Sequence, residues 1–249
     1  MAPAKSNLMN SIKDFKFGSD DFRNYFRTQF IDHDAGWDFL KFKDGALYKK
    51  TIFTISLIVP IIACSFISTW KLSFLYLVPL YIIVANGIEY FLHRYPMHHK
   101  MRGFEFLFEH VIIHHNFYSE SYLKCKEPRD YFAVFLPLKY LIFISVEILI
   151  IGFLVSLIGG RDHGLFFIAT AYIYYFFYEL FHYSAHSDTN GKLKRMLGID
   201  RLSKLHLLHH NTSLMQKYNF NISLPIFDIL LGTLYREPSS PQTGARQAP

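Results

Sequence analysis

The sequence predicts an all-α integral membrane protein, with four transmembrane helices in two hairpins and a cytosolic helical cap that carries a histidine-rich di-metal site. Of the 249 residues, 51% are hydrophobic and 18% are charged, against about 25% charged in ordinary soluble domains. Long apolar runs are paired by very short connections, and 11 of the 13 histidines fall in the polar segments that follow each pair. The net charge of +6 comes from basic residues that flank the apolar runs, which favours anionic lipid head groups over nucleic acid as the partner.

Residues 1–50 form a basic N-terminal arm that is rich in phenylalanine. Such a segment could be an interfacial helix that lies on the membrane, or a surface segment that packs on the main domain, and the composition leaves both open. His33 in this arm, and His163 in a later turn, are interpreted as ordinary polar residues at a membrane interface.

The first hairpin is predicted from two uncharged runs, residues 51–70 and 72–88, separated by Lys71. At about 1.5 Å of rise per residue, a helix of 20 residues covers the roughly 30 Å hydrocarbon core of a bilayer. Because almost nothing joins the two runs, they indicate a tight helical hairpin.

The second hairpin is predicted from a span at 140–158, with 131–139 as its interfacial lead-in, and a run from 164 to 178 that continues to His186. Residues 222–231 are apolar but too short to span a bilayer; they could be re-entrant, interfacial or packed on the cap. The membrane domain is therefore expected at 51–236, and the tail 237–249, rich in Pro, Ser, Gln and Ala, is predicted to be disordered.

The distribution of basic residues predicts the orientation, because cytoplasmic loops carry an excess of Lys and Arg. The arm holds nine, segment 93–130 six and segment 187–249 eight, whereas the turns at Lys71 and Arg161 hold one each. Both termini and the middle loop are therefore expected in the cytoplasm, with the two turns on the opposite side. The three histidine windows then share the cytoplasmic side.

Histidine spacing predicts the metal site. On an α-helix, residues three or four apart share a face, so the pairs His110/His114, His182/His186 and His206/His210 can each present two imidazoles to one ion. His93 and His98 are five apart with Pro96 between them, which predicts a break in the helix. The candidate metal ligands are His93, His98, His110, His114, His115, His182, His186, His206, His209 and His210.

Ten imidazoles exceed what one ion needs, which is about four protein ligands with six as the octahedral limit, so they suit two ions held close together. Imidazole binds iron, zinc and copper. Iron is the functional choice because zinc does not change its oxidation state, although zinc could occupy the same ligands in a purified sample. His99 is interpreted as an additional, solvent-facing or supporting residue.

These histidine clusters, in this order and spacing, together with the segment from Tyr218 to Tyr235, resemble the fatty acid hydroxylase / sterol desaturase superfamily of integral-membrane di-iron enzymes. The resemblance covers about residues 51–236, and the five-residue step from His93 to His98 is similar to the fatty-acyl and sphingolipid hydroxylase branch. It implies two iron ions, O2, a lipid tunnel under the cap, and oxidation of a fatty-acyl chain or sphingolipid. Residues 1–50 are too short for the cytochrome b5 domain fused to some relatives, so electrons are expected from a separate cytochrome b5, ferredoxin or reductase.

Polar residues beside the clusters are candidates to hold the imidazoles, since a ligating imidazole usually donates its other N–H to a carboxylate or carbonyl. These candidates are Glu89, Glu109, Glu179, Asp188, Asn116, Asn211 and Asn219.

Three alternatives remain open on the sequence alone. Within the superfamily, the reaction could be desaturation or sterol oxidation. A membrane metal transporter is disfavoured because transporters place ionisable groups along a path through the membrane. A scaffold that keeps a metal only for stability is the third. The membrane is expected to be a bacterial inner membrane or the endoplasmic reticulum.

Overall fold

The computed structural model describes residues 15–31, 44–188, 192–196 and 198–237. His33 and positions 238–249 of the tail lie outside these ranges, so the expectations for them stay predictions. Within the described ranges the regular structure is helical throughout, as predicted. The α-helices are α1 Asp20–Tyr25, α2 Gly45–Ser65, α3 Ser73–Leu92, α4 Tyr131–Val134, α5 Leu138–Gly159, α6 Arg161–His186, α7 Lys192–Met196, α8 Ile199–His209 and α9 Ile226–Leu230. Short π-helices cover Phe26–Phe30, His93–Met97 and His110–His115, and a 3-10 turn covers Pro128–Asp130.

Four helical segments among the described residues are long and apolar enough to cross a membrane, namely Gly45–Ser65, Ser73–Met97, Pro128–Gly159 and Arg161–His186. The predicted spans are confirmed, with one shift at the first. Helix α2 begins at Gly45 rather than at residue 51, because the Asp44 carboxylate accepts the N–H groups of Ala46 at 2.8 Å and Leu47 at 3.3 Å. Such a side-chain cap satisfies donors that a helix start otherwise leaves free.

Helix α6 is the centre of the bundle and packs against α2, α3, α5 and, at its far end, α8. Helices α3 and α5 both contact α6 but hardly contact each other, so a gap remains between them. Helix α5 turns a wholly apolar side outward, where Phe153, Leu157 and Ile158 are 62%, 67% and 91% exposed. An exposed apolar face of this kind is suited to contact with the acyl chains of the bilayer.

Close packing of α5 on α6 depends on small residues at the crossing. A Cβ atom on Gly164 would lie 2.5 Å from the Gly152 carbonyl oxygen and 2.7 Å from the Ser156 Cβ. Membrane helices have little hydrophobic drive to associate and rely on such close backbone approach.

The two hairpin turns lie side by side at one end of the bundle. The Asp162 carboxylate, in the second turn, accepts the N–H groups of Ser68 at 3.0 Å and Thr69 at 2.9 Å in the first. The histidine-bearing segments lie at the opposite end of the spans. Turns and histidines are thus separated as the charge pattern predicts, while their assignment to the two sides of a membrane stays a prediction.

Residues 15–31 of the arm pack on the cap, which is one of the two alternatives that the sequence leaves open. Phe22 and Phe26 are fully buried, and the Phe26 ring lies 5.3 Å from that of Phe117. Arg27 forms an ion pair with Asp130, a residue with no exposed side chain, at 2.7 Å. The arm therefore covers the segment that follows the second histidine cluster.

The short apolar segment near the C-terminus packs on α3. A Cβ atom on Gly87 would come within 2.8 Å of the Phe227 ring, and that ring also lies 6.1 Å from the Tyr90 ring. Helix α9 thus positions the loop that precedes it beside the end of α3. His93, the first histidine of the cap, follows directly after that end.

Candidate metal centre

All ten predicted ligands come together in the cap, and each is at most 5% exposed. Four segments supply them: the end of α3 with its π-helical extension and the residue after it, the π-helix His110–His115, the end of α6, and α8 with the residue after it. The other histidines of the described chain lie apart: His99 is exposed and His163 sits in the turn at the opposite end.

The ten imidazoles form two groups of five. In the first, the ligand atoms of His93, His98, His110 and His115 lie within 4.8 Å of one another, and His209 joins them with its Nε2 3.0 Å from that of His98. In the second, the same limit holds for His114, His182, His186 and His206. His210 joins this group, with its Nε2 3.1 Å from those of His114 and His206.

Spacing alone predicts some of this grouping and misses the rest. His182 and His186 share a group, as do His206 and His210, as the four-residue spacing predicts. His110 and His114 fall in different groups, although their rings stack with their centroids 4.7 Å apart. The segment is a π-helix, whose i→i+5 repeat brings His115 to the side of His110.

The predicted break at Pro96 is also a π-helix, over His93–Met97. It brings the two ends of a five-residue step together, with the Nε2 atoms of His93 and His98 3.2 Å apart. Pro96 has no backbone N–H and cannot make the i→i−4 hydrogen bond of an α-helix, which is consistent with a change of helix type at this point.

Backbone carbonyls set the tautomer of half the rings. The Nδ1 atoms of five rings lie within hydrogen-bond distance of a carbonyl oxygen: His93 of Phe220, His114 of Ala133, His186 of Leu123, His209 of Tyr218 and His210 of Tyr118. A carbonyl only accepts, so Nδ1 carries the proton and a neutral ring keeps a free lone pair on Nε2.

The rings of the cap are held neutral by their burial. Loss of hydration lowers the pKa of His114 to about 3, and with the neighbouring imidazoles it holds the pKa of His110 and His210 well below the usual value. Desolvation disfavours the imidazolium form, and neutral imidazole is the form that binds metals.

The donor set fits metal ions. The Nε2 atoms of His114 and His210 are 3.1 Å apart although both rings are protonated on Nδ1, so two lone pairs face each other and no hydrogen bond can form between them. A cation between such atoms removes the repulsion. Two nitrogens on neighbouring corners of an octahedron, each about 2.1 Å from the ion, are about 3.0 Å apart, which matches the spacing within both groups.

The unpaired ring of His115 supports the same interpretation. Within the described residues, both ring nitrogens of His115 are buried without a hydrogen-bond partner, as are the Nδ1 atoms of His98, His182 and His206. Buried polar atoms are rarely left unpaired.

The carboxylates expected to hold the imidazoles bond elsewhere. Glu89 accepts from the backbone of Ile222 and Ser223. Glu109 pairs with Lys139, Glu179 accepts the Tyr175 hydroxyl at 2.6 Å, and Asp188 is exposed. Backbone carbonyls take the place expected for these side chains.

The three asparagines shape backbone rather than contact the rings through their side chains. Asn116 Oδ1 accepts the Gly18 N–H of the arm at 2.6 Å, and Asn211 Oδ1 accepts the Ser213 N–H at 2.9 Å. Asn219 has a positive φ of 57°, and its side chain bonds the backbone of Leu205 and Tyr235.

Two residues that the sequence analysis did not select build the loop from Tyr218 to Ser223. Asp228 accepts the N–H groups of Phe220 at 3.0 Å and Asn221 at 2.7 Å. The backbone carbonyl of Asn86, on α3, accepts a hydrogen bond from the side-chain amide of Asn221. This loop presents the carbonyls of Tyr218 and Phe220 to His209 and His93. Backbone acceptors have no signature in a single sequence, so spacing could not reveal them.

An apolar cavity lies under the first group, between α3, α5 and α6. Its wall includes His93 and Met97 at the cap end, and Ile148, Ile151 and Phe167 deeper in the bundle. A metal group and an apolar cavity thus meet at His93.

The fold and the site together define an integral membrane protein in which two groups of imidazoles that could hold metal ions lie next to an apolar cavity. The model of the fatty acid hydroxylase family matches residues 78–233, which is more than half of the chain, and the chain belongs to that family. The searches of curated proteins and of solved structures gave no match. The family is that of the sterol desaturases and fatty acid hydroxylases, so the resemblance read from the histidine clusters is confirmed, and the protein is an oxidoreductase of the lipid hydroxylase or desaturase type.

Proposed function

We propose that the protein is a membrane-bound, oxygen-dependent di-iron hydroxylase that acts on a fatty-acyl chain or a sphingolipid. The observation that carries this proposal is the position of His93, which belongs to the first imidazole group and also lines the apolar cavity. A methylene group held at that end of the cavity would lie beside a metal ion.

We assign five ligands to each ion, as the two groups define them. Only nitrogen donors that are neutral and buried contribute, which suits a divalent first-row metal. Iron is favoured because the reaction needs a metal that changes its oxidation state, and zinc would compete for the same imidazoles in a purified sample.

When bound, the two irons with O2 would supply the oxidant for replacing a C–H bond by C–O–H. The balance is one lipid C–H, one O2, two electrons and two protons, giving one hydroxylated lipid and one water. The chain's own residues hold the rings through the carbonyls of Phe220, Ala133 and Tyr118. The buried cap excludes water, and the apolar wall orients the alkyl chain.

The gap between α3 and α5 offers the substrate a way in from the bilayer. These two helices barely touch, and the cavity lies between them and α6. A lipid could therefore slide its chain sideways into the cavity without leaving the membrane.

The charge pattern supports one orientation in the membrane. We propose that the cap and both termini face the cytoplasm, because the segments at that end carry most of the Lys and Arg. The two electrons would come from a separate protein, a cytochrome b5, ferredoxin or reductase. The membrane would be a bacterial inner membrane or the endoplasmic reticulum.

Desaturation or sterol oxidation by the same centre is the alternative within the family, and the position of the bound carbon would decide between them. A metal transporter is less well supported. Its ligands would follow a path through the membrane, whereas the two groups lie together at one end of the bundle.

The experiment combines metal analysis with lipid profiling of a host strain that expresses the protein. We expect two tightly held ions per chain and a lipid with one added oxygen. His182→Ala should abolish the oxidised lipid while leaving the protein in the membrane, and His99→Ala, at an exposed position, should change neither readout. Full metal sites with unchanged lipids would contradict the proposal and favour a scaffold.

A further inference from the structure

The cavity wall contains a carboxylate at a depth where lipid chains are apolar. Glu147 lies on α5 and lines the cavity together with Ile144, Ile148 and Ile151. These positions follow the i, i+3, i+4, i+7 spacing of one helix face. Glu147 therefore points to the same side as the apolar wall, away from the lipid-facing side of Val146 and Ile150, which are 49% and 55% exposed.

Two other polar groups on this wall, Glu89 and Tyr175, have partners within the protein, while no hydrogen bond is found for the Tyr178 hydroxyl in the described part of the chain. Glu89 accepts the N–H of Ser223 at 3.0 Å and the Tyr174 hydroxyl. The Tyr175 hydroxyl donates to Glu179 at 2.6 Å. Among the described residues, no hydrogen bond or ion pair is found for Glu147. Two acceptor oxygens at the cavity are thus free to bond a ligand.

An ionisable side chain inside a membrane is costly and usually marks a binding site or pathway. Glu147 lies nine residues beyond Leu138, the first residue of α5, which is about 14 Å along the helix. A plain alkyl chain would pass this carboxylate without satisfying it. A lipid that carries a donor at that depth would pair with it.

We propose that Glu147 binds a hydroxyl group of the substrate lipid, placed well away from the carbon that reacts at the cap end of the cavity. This inference rests on the proposed function, and it narrows the substrate to lipids that already carry a hydroxyl. That hydroxyl could sit within an acyl chain or on a sterol-like ring. In either case its O–H donates to the Glu147 carboxylate while the opposite part of the molecule lies beside His93.

The test compares lipids that differ only in the hydroxyl. Metal-loaded protein in nanodiscs is titrated with two pairs: octadecanoic acid with and without a mid-chain hydroxyl, and cholestanol with its hydroxyl-free analogue cholestane. Binding is read as displacement of the fluorescent fatty acid parinaric acid. Hydrogen bonds to charged groups are worth about a tenfold to hundredfold change in affinity, so the wild type should prefer the hydroxylated member of one pair by at least about tenfold. Which pair shows the preference identifies the source of the hydroxyl.

Variants assign that preference to Glu147. Glu147→Leu should bring the ratio of affinities to about one, and Glu147→Gln, which keeps an acceptor oxygen without the charge, should retain part of it. Ile150→Val changes the lipid-facing side of the same helix without adding or removing a polar group and should keep the full preference. Metal content and parinaric acid binding show that each variant is folded.

The proposal is overturned if the wild type prefers neither hydroxylated lipid, or if Glu147→Leu keeps the preference. Neither result bears on whether the protein oxidises lipid, because binding is measured without turnover. Conversely, absence of an oxidised lipid in the expressing strain would leave the hydroxyl preference measurable.

Discussion

The Glu89 carboxylate accepts the backbone N–H of Ser223 at 3.0 Å, and this bond joins a membrane-spanning helix to the C-terminal loop. The same loop offers the Phe220 carbonyl to the His93 ring, and His93 follows Glu89 by one helical turn on the same helix. One carboxylate therefore controls the distance between an imidazole and the carbonyl that orients it.

Replacing Glu89 should loosen the metal without removing any imidazole. In Glu89→Ala the N–H groups of Ile222 and Ser223 lose their acceptor, and the loop no longer holds the Phe220 carbonyl in place. Partners that orient metal ligands are worth about tenfold to a hundredfold in metal affinity. Metal retained during dialysis against a chelator should fall accordingly, with Glu89→Gln between the alanine variant and the wild type. Glu105→Gln, at an exposed cap position, serves as the control. If the two Glu89 variants retained as much metal as the Glu105→Gln control, the role given to Glu89 would be refuted.

Metal removal should destabilise the cap. Without a cation, the Nε2 lone pairs of His114 and His210 face each other at 3.1 Å, and the binding energy that favours the folded state is lost. We expect chelation to lower the midpoint of thermal unfolding by about 5–10 °C, the effect of a few kcal/mol in a chain of this size, and added metal to restore it. In His114→Ala the shift should shrink, whereas His99→Ala should behave as the wild type. An unchanged midpoint after complete metal removal would exclude a structural role for the ions.

A side chain at Gly164 should separate α5 from α6. In Gly164→Val the new Cβ would lie 2.5 Å from the Gly152 carbonyl oxygen, which forces the backbones apart at their crossing. Overpacking of this kind costs about 1–3 kcal/mol, so thermal unfolding in detergent should begin several degrees earlier. Ile158→Val, at a position that is 91% exposed, is the matched control. A Gly164→Val protein as stable as the control would show that the helices do not pack this closely.

Loss of Arg27 should release the arm from the cap. Arg27→Ala leaves the buried Asp130 carboxylate without the guanidinium that bonds it at 2.7 Å and 3.0 Å. A hydrogen bond to a charged group contributes about 2 kcal/mol. The Lys126 N–H and the Tyr122 hydroxyl still donate to the Asp130 carboxylate in this variant. Limited proteolysis with thermolysin should cut the arm faster in this variant than in Arg102→Ala, whose arginine is exposed. Equal cleavage rates would mean that the Arg27–Asp130 ion pair does not hold the arm on the cap.

The Cys125 thiol should resist alkylation in the folded protein. Burial raises the pKa of Cys125 to about 12, above the usual value, so at pH 8 only about one thiol in ten thousand is the reactive thiolate. Iodoacetamide should therefore label Cys125 at least about a hundredfold more slowly than in the unfolded chain, with the rate rising as the pH approaches the raised pKa. Mass spectrometry of the Cys125 peptide measures the labelling. Rapid labelling at pH 8 under native conditions would contradict the packing of this thiol against Tyr118.

The sequence by itself determined the number of spans, their pairing in hairpins and the identity of the histidines that meet. These features depend on local properties: the length of an apolar run against the thickness of a bilayer, and the spacing that puts His182 and His186 on one helix face. Both act within a single helix, so they can be read without knowing what the helix packs against.

Tertiary structure alone decided how the imidazoles divide into two groups and what holds them. His115 joins His110, while the neighbouring His114 faces His182, because a π-helix replaces the regular spacing and four distant segments close around it. The Nδ1 atoms bond backbone carbonyls rather than the acidic side chains next to them in sequence, and Glu109 pairs with Lys139 instead. Such choices depend on which segments of the chain meet across the cap, and long-range packing of this kind leaves no periodic signal in the order of residues.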